Sequence, residues 1–101
     1  REWALANGWA ILDEVILEED DKIYEVLVLQ RGAENLSEAE ILLGKHLIAE
    51  KSDVFVQKWT KEIANWERVL QSIEKADATP EIESKRTELR HLIQLVQGVL
   101  S

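Results

Sequence analysis

The strongest constraint on this chain is a pair of apolar seams in its second half. Val56, Trp59, Ile63, Trp66, Leu70 and Ile73 recur at spacings that alternate three and four. That is the stripe a helix presents to a neighbouring helix in a coiled coil or bundle. Ile82, Arg86, Leu89, Ile93, Val96 and Leu100 repeat the pattern downstream. Between the seams, Asp77-Ala78-Thr79-Pro80 breaks the helix and starts the next. Thr79 has the chemistry of an N-cap, Pro80 suits the first helical position, and Glu81 and Glu83 favour the positive end of the helix dipole. So short a connection predicts antiparallel helices over about 53–76 and 80–100, a C-terminal helical hairpin.

Upstream, Ser37 and Glu40 have capping-box spacing and predict a helix over about 38–51. Ser52-Asp53 marks a bend or a new N-cap. The first segment could hold strands, because Val26-Leu27-Val28-Leu29 is an apolar run and Asn7-Gly8 is a hairpin-turn dipeptide. Helical spacing accounts for more residues: Leu5, Trp9, Leu12, Ile16, Ile23 and Leu27 fall within about 60° on a helical wheel. Two-residue alternation fails at Ile23-Tyr24 and Val26–Leu29. The reading is one helix over about 2–30, about 40 Å long, bent near 18–21 and stopped by Gly32. The expected fold is therefore all-α: one domain over 1–101, an antiparallel bundle of about four helices with a long N-terminal helix. Because the chain begins at Arg1 and contains no Met, a piece of a longer protein is expected.

Charge narrows the function classes. There are 20 acids and 12 Lys or Arg, a net of −8, which argues against nucleic acid because its binding neutralises phosphates with cations. The absence of Cys excludes disulfides and thiolate sites. No apolar run suits a membrane span and no signal-peptide pattern opens the chain, so a cytoplasmic protein is expected. Residues 1–40 hold 11 acids and three bases, and 41–101 hold nine of each, so the whole imbalance lies in the first segment. On a helix, Glu14, Glu18, Asp21 and Glu25 would share one face, either a solvated flank or a strip for a basic protein surface. A counter-stripe of Lys58, Lys61, Arg68 and Lys75, with Asn65 and Ser72 between and Glu62, Glu67 and Glu74 on its flanks, lies opposite Trp59 and Trp66. Of four tryptophans, Trp3 falls off the apolar stripe and is the candidate interface residue.

Catalytic constellations are sparse. Glu88 and His91 have the Glu-x-x-His spacing of di-metal carboxylate bundles, but His46 has Leu43 where a second glutamate would stand. Neither histidine is followed by the lysine and glycine of the His-x-x-Lys-Gly acceptor in phosphotransfer modules. The run Glu18-Glu19-Asp20-Asp21 would point four ways on a helix and could not converge on magnesium. The expectation is a non-enzymatic protein-interaction module (adaptor, chaperone, inhibitor or oligomerisation domain) without a cofactor. It would bind a basic protein and form a homodimer. The alternative is a small all-α metal-dependent enzyme or a histidine phosphotransfer-like domain, with Glu88 and His91 as weak metal candidates.

Overall fold

Residues 9–31, expected as the body of one long helix, form a β-hairpin. The computed structural model describes all 101 residues. A short helix α1 (Glu2–Ala6) precedes β1 (Trp9–Glu19), which pairs antiparallel with β2 (Lys22–Arg31). The connecting residues Asp20 and Asp21 both have positive φ, 51° and 63°, as a two-residue hairpin turn of primed type requires. Aspartate tolerates the left-handed region better than most side chains. Asn7-Gly8 instead ends α1, and the Gly32 N–H donates to the Gly8 carbonyl at 2.9 Å, closing the open end of the hairpin.

Both faces of the hairpin are apolar, which is why alternation failed as a signal. Ile11 and Ile16 are buried on one face, while Val15, Tyr24, Val26 and Val28 on the other are 43–48% exposed. Strands with two apolar faces are typical of sheets covered by helices on both sides. The register shifts between Ile11 and Asp13, leaving Leu12 as the extra residue of a β-bulge. That shift brings Glu14 onto the buried face with Ile11; strict alternation from Ile11 would have sent it outward.

A helical stretch follows, a π-helical turn (Glu40–Gly44) and α2 (Lys45–Glu50). Its start is a reciprocal capping box: Glu40 N–H donates to Ser37 Oγ at 3.2 Å and Ser37 N–H to Glu40 Oε1 at 2.8 Å. The Ser52 hydroxyl accepts from Phe55 N–H at 3.2 Å and starts α3 (Asp53–Glu74). The chain divides into two compact units, Arg1–Val56 and Gln57–Ser101, with α3 running through the boundary. Ala4, Ile11, Ile16, Leu43, Leu47 and Phe55 are buried in the first unit.

The second unit contains the rest of α3 and α4 (Pro80–Leu100). Its buried residues are Trp59, Leu89, Ile93 and Val96. Trp66 packs tilted against Trp59 with ring centroids 6.3 Å apart. Thr79 caps α4 by accepting from Ile82 N–H at 3.2 Å, and Arg90 reaches Glu74 at 3.4 Å. The all-α bundle is thus corrected to a mixed fold, a two-stranded antiparallel sheet with helices. No helix is long and apolar enough to cross a membrane.

Candidate functional site

The most elaborate polar arrangement lies under the bulge. Glu14 is 3% exposed, and its carboxylate meets the Arg1 guanidinium at 2.6 Å between Oε2 and Nε. The other oxygen, Oε1, accepts from His46 N–H at 2.8 Å, placing an anion at the N-terminal end of α2. Arg1 also donates through Nη1 and Nη2 to the carbonyls of Ile41, Leu42 and Leu43 at 3.2–3.4 Å. Its Nη2 reaches Glu25 on β2 at 3.3 Å. One guanidinium therefore joins β1, β2 and the π-helical turn, using the five-donor fork that only arginine offers.

Gly44 makes this close approach possible. It has φ of 101°, and a Cβ there would lie 2.6 Å from Arg1 Nη2 and 2.7 Å from Glu14 Oε2. Ile11, the residue before the bulge, is held at both of its main-chain groups. Its N–H donates to Glu34 Oε1 at 3.0 Å, and its carbonyl lies 2.9 Å from His46 Nε2. Lys45 bonds the second Glu34 oxygen at 2.5 Å. The Lys45 hydrogen bond, then the Ile11 amide, holds the Glu34 carboxyl below its usual range, and the same Glu34 contact pushes the Lys45 ammonium up. Every charge in this cluster has a partner within the chain, so it locks the first unit together and presents no open reactive group.

The expected site residues separate in space. Glu14 and Glu25 share Arg1, whereas Glu18 lies near the hairpin tip and Asp21 is in the turn itself. Trp3, on α1, is 67% exposed. Glu88 and His91 are exposed on α4, and no group of three or more His, Asp or Glu is placed to hold a metal. Sequence reasoning missed Arg1, Glu34, Lys45 and Gly44 as site residues, and weighed His46 only as a phosphate acceptor and as a metal ligand lacking its partner glutamate.

In the second unit the two helices treat their cations differently. On α4, Arg86 pairs with Glu83 at 2.6 Å, Arg90 with Glu74 at 3.4 Å, and Lys85 approaches Glu88 at 3.8 Å. On α3, Lys58 is half-buried over the Trp59 ring at 4.7 Å, Lys61 and Arg68 are exposed with Arg68 bonding Asn65 at 3.3 Å, and Lys75 is exposed just past the helix end. The surface also has an open depression at the start of α4, lined by Pro80, Glu81, Ser84, Lys85 and Glu88.

A hairpin with two apolar faces and an adjoining helical segment fits an open α/β sheet of Rossmann type. Among known structures, a Streptococcus agalactiae protein described as belonging to the NAD-binding Rossmann superfamily superposes with a TM-score of 0.86 at 31% identity, over 99% of this chain and 41% of that one. Residues 1–98 match the family model TrmK, tRNA (adenine(22)-N(1))-methyltransferase, and the chain belongs to this family. The curated Bacillus subtilis (strain 168) enzyme of that name is 37% identical over 106 aligned residues, 99% of this chain and 44% of its own length. The crystal structure of B. subtilis TrmK superposes with a TM-score of 0.91 at 37% identity, over 99% of this chain and 45% of that one. A Streptococcus pneumoniae protein solved in complex with S-adenosyl-L-methionine gives 0.81 at 36% identity, over 99% and 41% respectively.

The chain thus spans less than half the length of these relatives. The family is named for an enzyme acting on tRNA, which overturns the expected non-enzymatic module together with its metal-enzyme and phosphotransfer alternatives. It also overturns the expected exclusion of nucleic acid. The charge argument was too coarse, because a net of −8 sums an acidic first segment and a neutral remainder and describes neither surface.

Proposed function

We propose that this chain is part of a bacterial-type tRNA (adenine-N1)-methyltransferase working in the cytoplasm. The observation that carries the reading is the family match over residues 1–98. The reaction places a methyl group on N1 of an adenine, whose ring lone pair is the nucleophile. S-adenosylmethionine supplies the methyl group in such a transfer. A donor of that kind needs an enclosed, largely apolar slot with a few placed polar groups. The open depression on α4, lined mainly by polar side chains, does not provide one. No residue of that depression is assigned to the transfer step. What this chain's residues supply is a rigid hairpin, fixed by Arg1 and Glu14, and a two-helix unit with a charged outer face.

The test is a methylation assay with the protein that carries this chain, unmodified tRNA and labelled S-adenosylmethionine. Label should enter tRNA with adenine at position 22, as the family name specifies, and be lost when that base is changed to guanine. Unchanged labelling of the guanine tRNA would overturn the reading.

A further inference from the structure

We propose that Glu34 and His46 form an edge guard on β1, a clasp that keeps a second copy of this chain from adding its own strand there. In an antiparallel pair, residues alternate between exchanging main-chain bonds with the neighbour and pointing both groups away from it. The Gly32 N–H bonds to the Gly8 carbonyl, which makes these two a hydrogen-bonded pair. The register then steps through Trp9 with Arg31 and Ala10 with Gln30 to Ile11 with Leu29. Trp9 and Ile11 therefore turn their N–H and carbonyl groups away from β2, toward the outer edge of β1. At Ile11 both groups are taken by side chains. Glu34 Oε1 accepts from the N–H at 3.0 Å, and His46 Nε2 lies 2.9 Å from the carbonyl. A carbonyl only accepts, so Nε2 is the donor. Past the bulge, the Glu14 N–H is likewise held by a side chain, the Asp13 carboxylate, at 2.8 Å. The groups that a further strand would use at Ile11 are occupied.

The clasp sits where the strand has no other protection. Strand edges pair with other chains unless charge, proline, a bulge or a covering segment prevents it. Beyond the bulge β1 carries Asp13, Glu18 and Glu19, whereas Trp9-Ala10-Ile11-Leu12 is uncharged, apolar and without proline. A run of that composition associates when its edge is open. A second copy is the occupant this edge suits. Two β1 strands laid antiparallel about Ala10 would set Ile11 of one against Trp9 of the other, so that outward-pointing groups meet. The paired residues 8–12 would bring no charges together. The guard is anchored from two directions: Glu34 comes from the segment after β2 and His46 from α2, and Lys45 holds the other Glu34 oxygen at 2.5 Å. The inference is independent of the methyltransferase reading.

The experiment compares the protein that carries this chain with three variants. Glu34→Ala/His46→Ala frees both main-chain groups of Ile11. Glu34→Gln/His46→Gln keeps an amide acceptor and an amide donor at the same places. Leu89→Ala weakens the helical unit and leaves the clasp intact. Circular dichroism checks that each folds, and sedimentation velocity is run from about 5 to 200 μM, where exposed strand edges associate. The Gln pair and Leu89→Ala should sediment as wild type does, and the Ala pair should approach twice that mass at the highest concentration. Hydrogen exchange locates the contact. In the dilute Ala pair, amides of residues 9–12 should exchange about tenfold or more faster than in wild type. They should slow again as the dimer forms, while residues 80–100 change in neither step. An Ala pair that keeps the wild-type mass while its Ile11 amide exchanges fast overturns the guard. Association of the Gln pair, equal association of Leu89→Ala, or protection that appears outside β1 overturns it as well. Should the Ala pair fail to fold, Glu34→Ala alone is read in the same way, because it still frees the Ile11 N–H.

Discussion

The two units hold their charges in opposite ways. In the first, Arg1 and Glu14 are drawn inside, with side chains 8% and 0% exposed, and are tied to three elements at once. In the second, most charges stay outside, Arg86 at 19% exposure being an exception, and pairs such as Lys85–Glu88 have side chains 51% and 60% exposed. A buried pair is strongly directional and costly to break singly, whereas an exposed pair contributes about 0–1 kcal/mol. The first unit is therefore built for fixed geometry, and the second has surface charge free for other uses.

The largest expected effect comes from breaking the buried pair from one side. Glu14→Ala should destabilise the protein by about 3–5 kcal/mol, since the Arg1 guanidinium keeps its burial and loses its nearest anion. Glu88→Gln on α4 should change stability by less than about 1 kcal/mol. Urea denaturation of both variants measures the difference. Replacing both partners, Arg1→Leu with Glu14→Met, should recover much of the loss, because well-packed apolar substitutes are often neutral or stabilising. A double variant as unstable as Glu14→Ala would show that the carbonyl and amide bonds matter more than the ion pair.

A glycine-to-alanine comparison sharpens the contrast by sign. At Gly44 the new Cβ would fall within 2.7 Å of both Arg1 and Glu14 at a φ of 101°, whereas at Gly98 nothing lies within 4 Å. Gly44→Ala should cost about 1–3 kcal/mol in backbone strain alone, with displacement of the ion pair added. Gly98→Ala should stabilise α4 by up to about 1 kcal/mol, less where the last turn frays. Thermal denaturation should shift down for the first and slightly up for the second. Two shifts of the same sign would remove the distinction between the units.

These differences also explain which parts of the chain could be read in advance. The positions of α3 and α4, and the start of the helical stretch before α2, follow from local signals: alternating seams, the Thr79-Pro80 start and the Ser37/Glu40 box all depend on neighbours in sequence. The hairpin depends on partners that are distant in the sequence. Its outward Val15, Tyr24, Val26 and Val28 are apolar like its inward face, so the two-residue period that normally marks a strand is erased. What remained was composition, with β-branched and aromatic residues crowded into 9–28, and an Asp20-Asp21 turn without the usual glycine. The Arg1–Glu14–Gly44 cluster was less legible still. Its members are 13 to 43 positions apart in sequence, and Glu14 faces inward only because of a one-residue bulge. Gly44 is one of four glycines in the chain, and nothing local shows that its missing Cβ makes room for a guanidinium.

The smallest effect tests the edge of the buried cluster, where Glu34 and Lys45 are partly exposed. The carboxyl of Glu34 titrates below its ordinary value of 4.5 because Lys45, and then the Ile11 amide, stabilise the charged form. A depressed folded-state pKa contributes stability above the unfolded value, and that contribution is lost as pH falls through the folded value. The Lys45 ammonium titrates above 10.5 because of the same hydrogen bond to Glu34. Its contribution is complete below that value and is lost as pH rises through the raised one. The pair thus gives a plateau across neutral pH with a loss at each end. Glu34→Gln should lower the urea midpoint at pH 7, and this deficit relative to wild type should close as pH falls below the ordinary carboxyl range. A deficit that stayed constant into acid would mean that Glu34 acts through packing and its neutral hydrogen bond to the bulge, with its charge irrelevant.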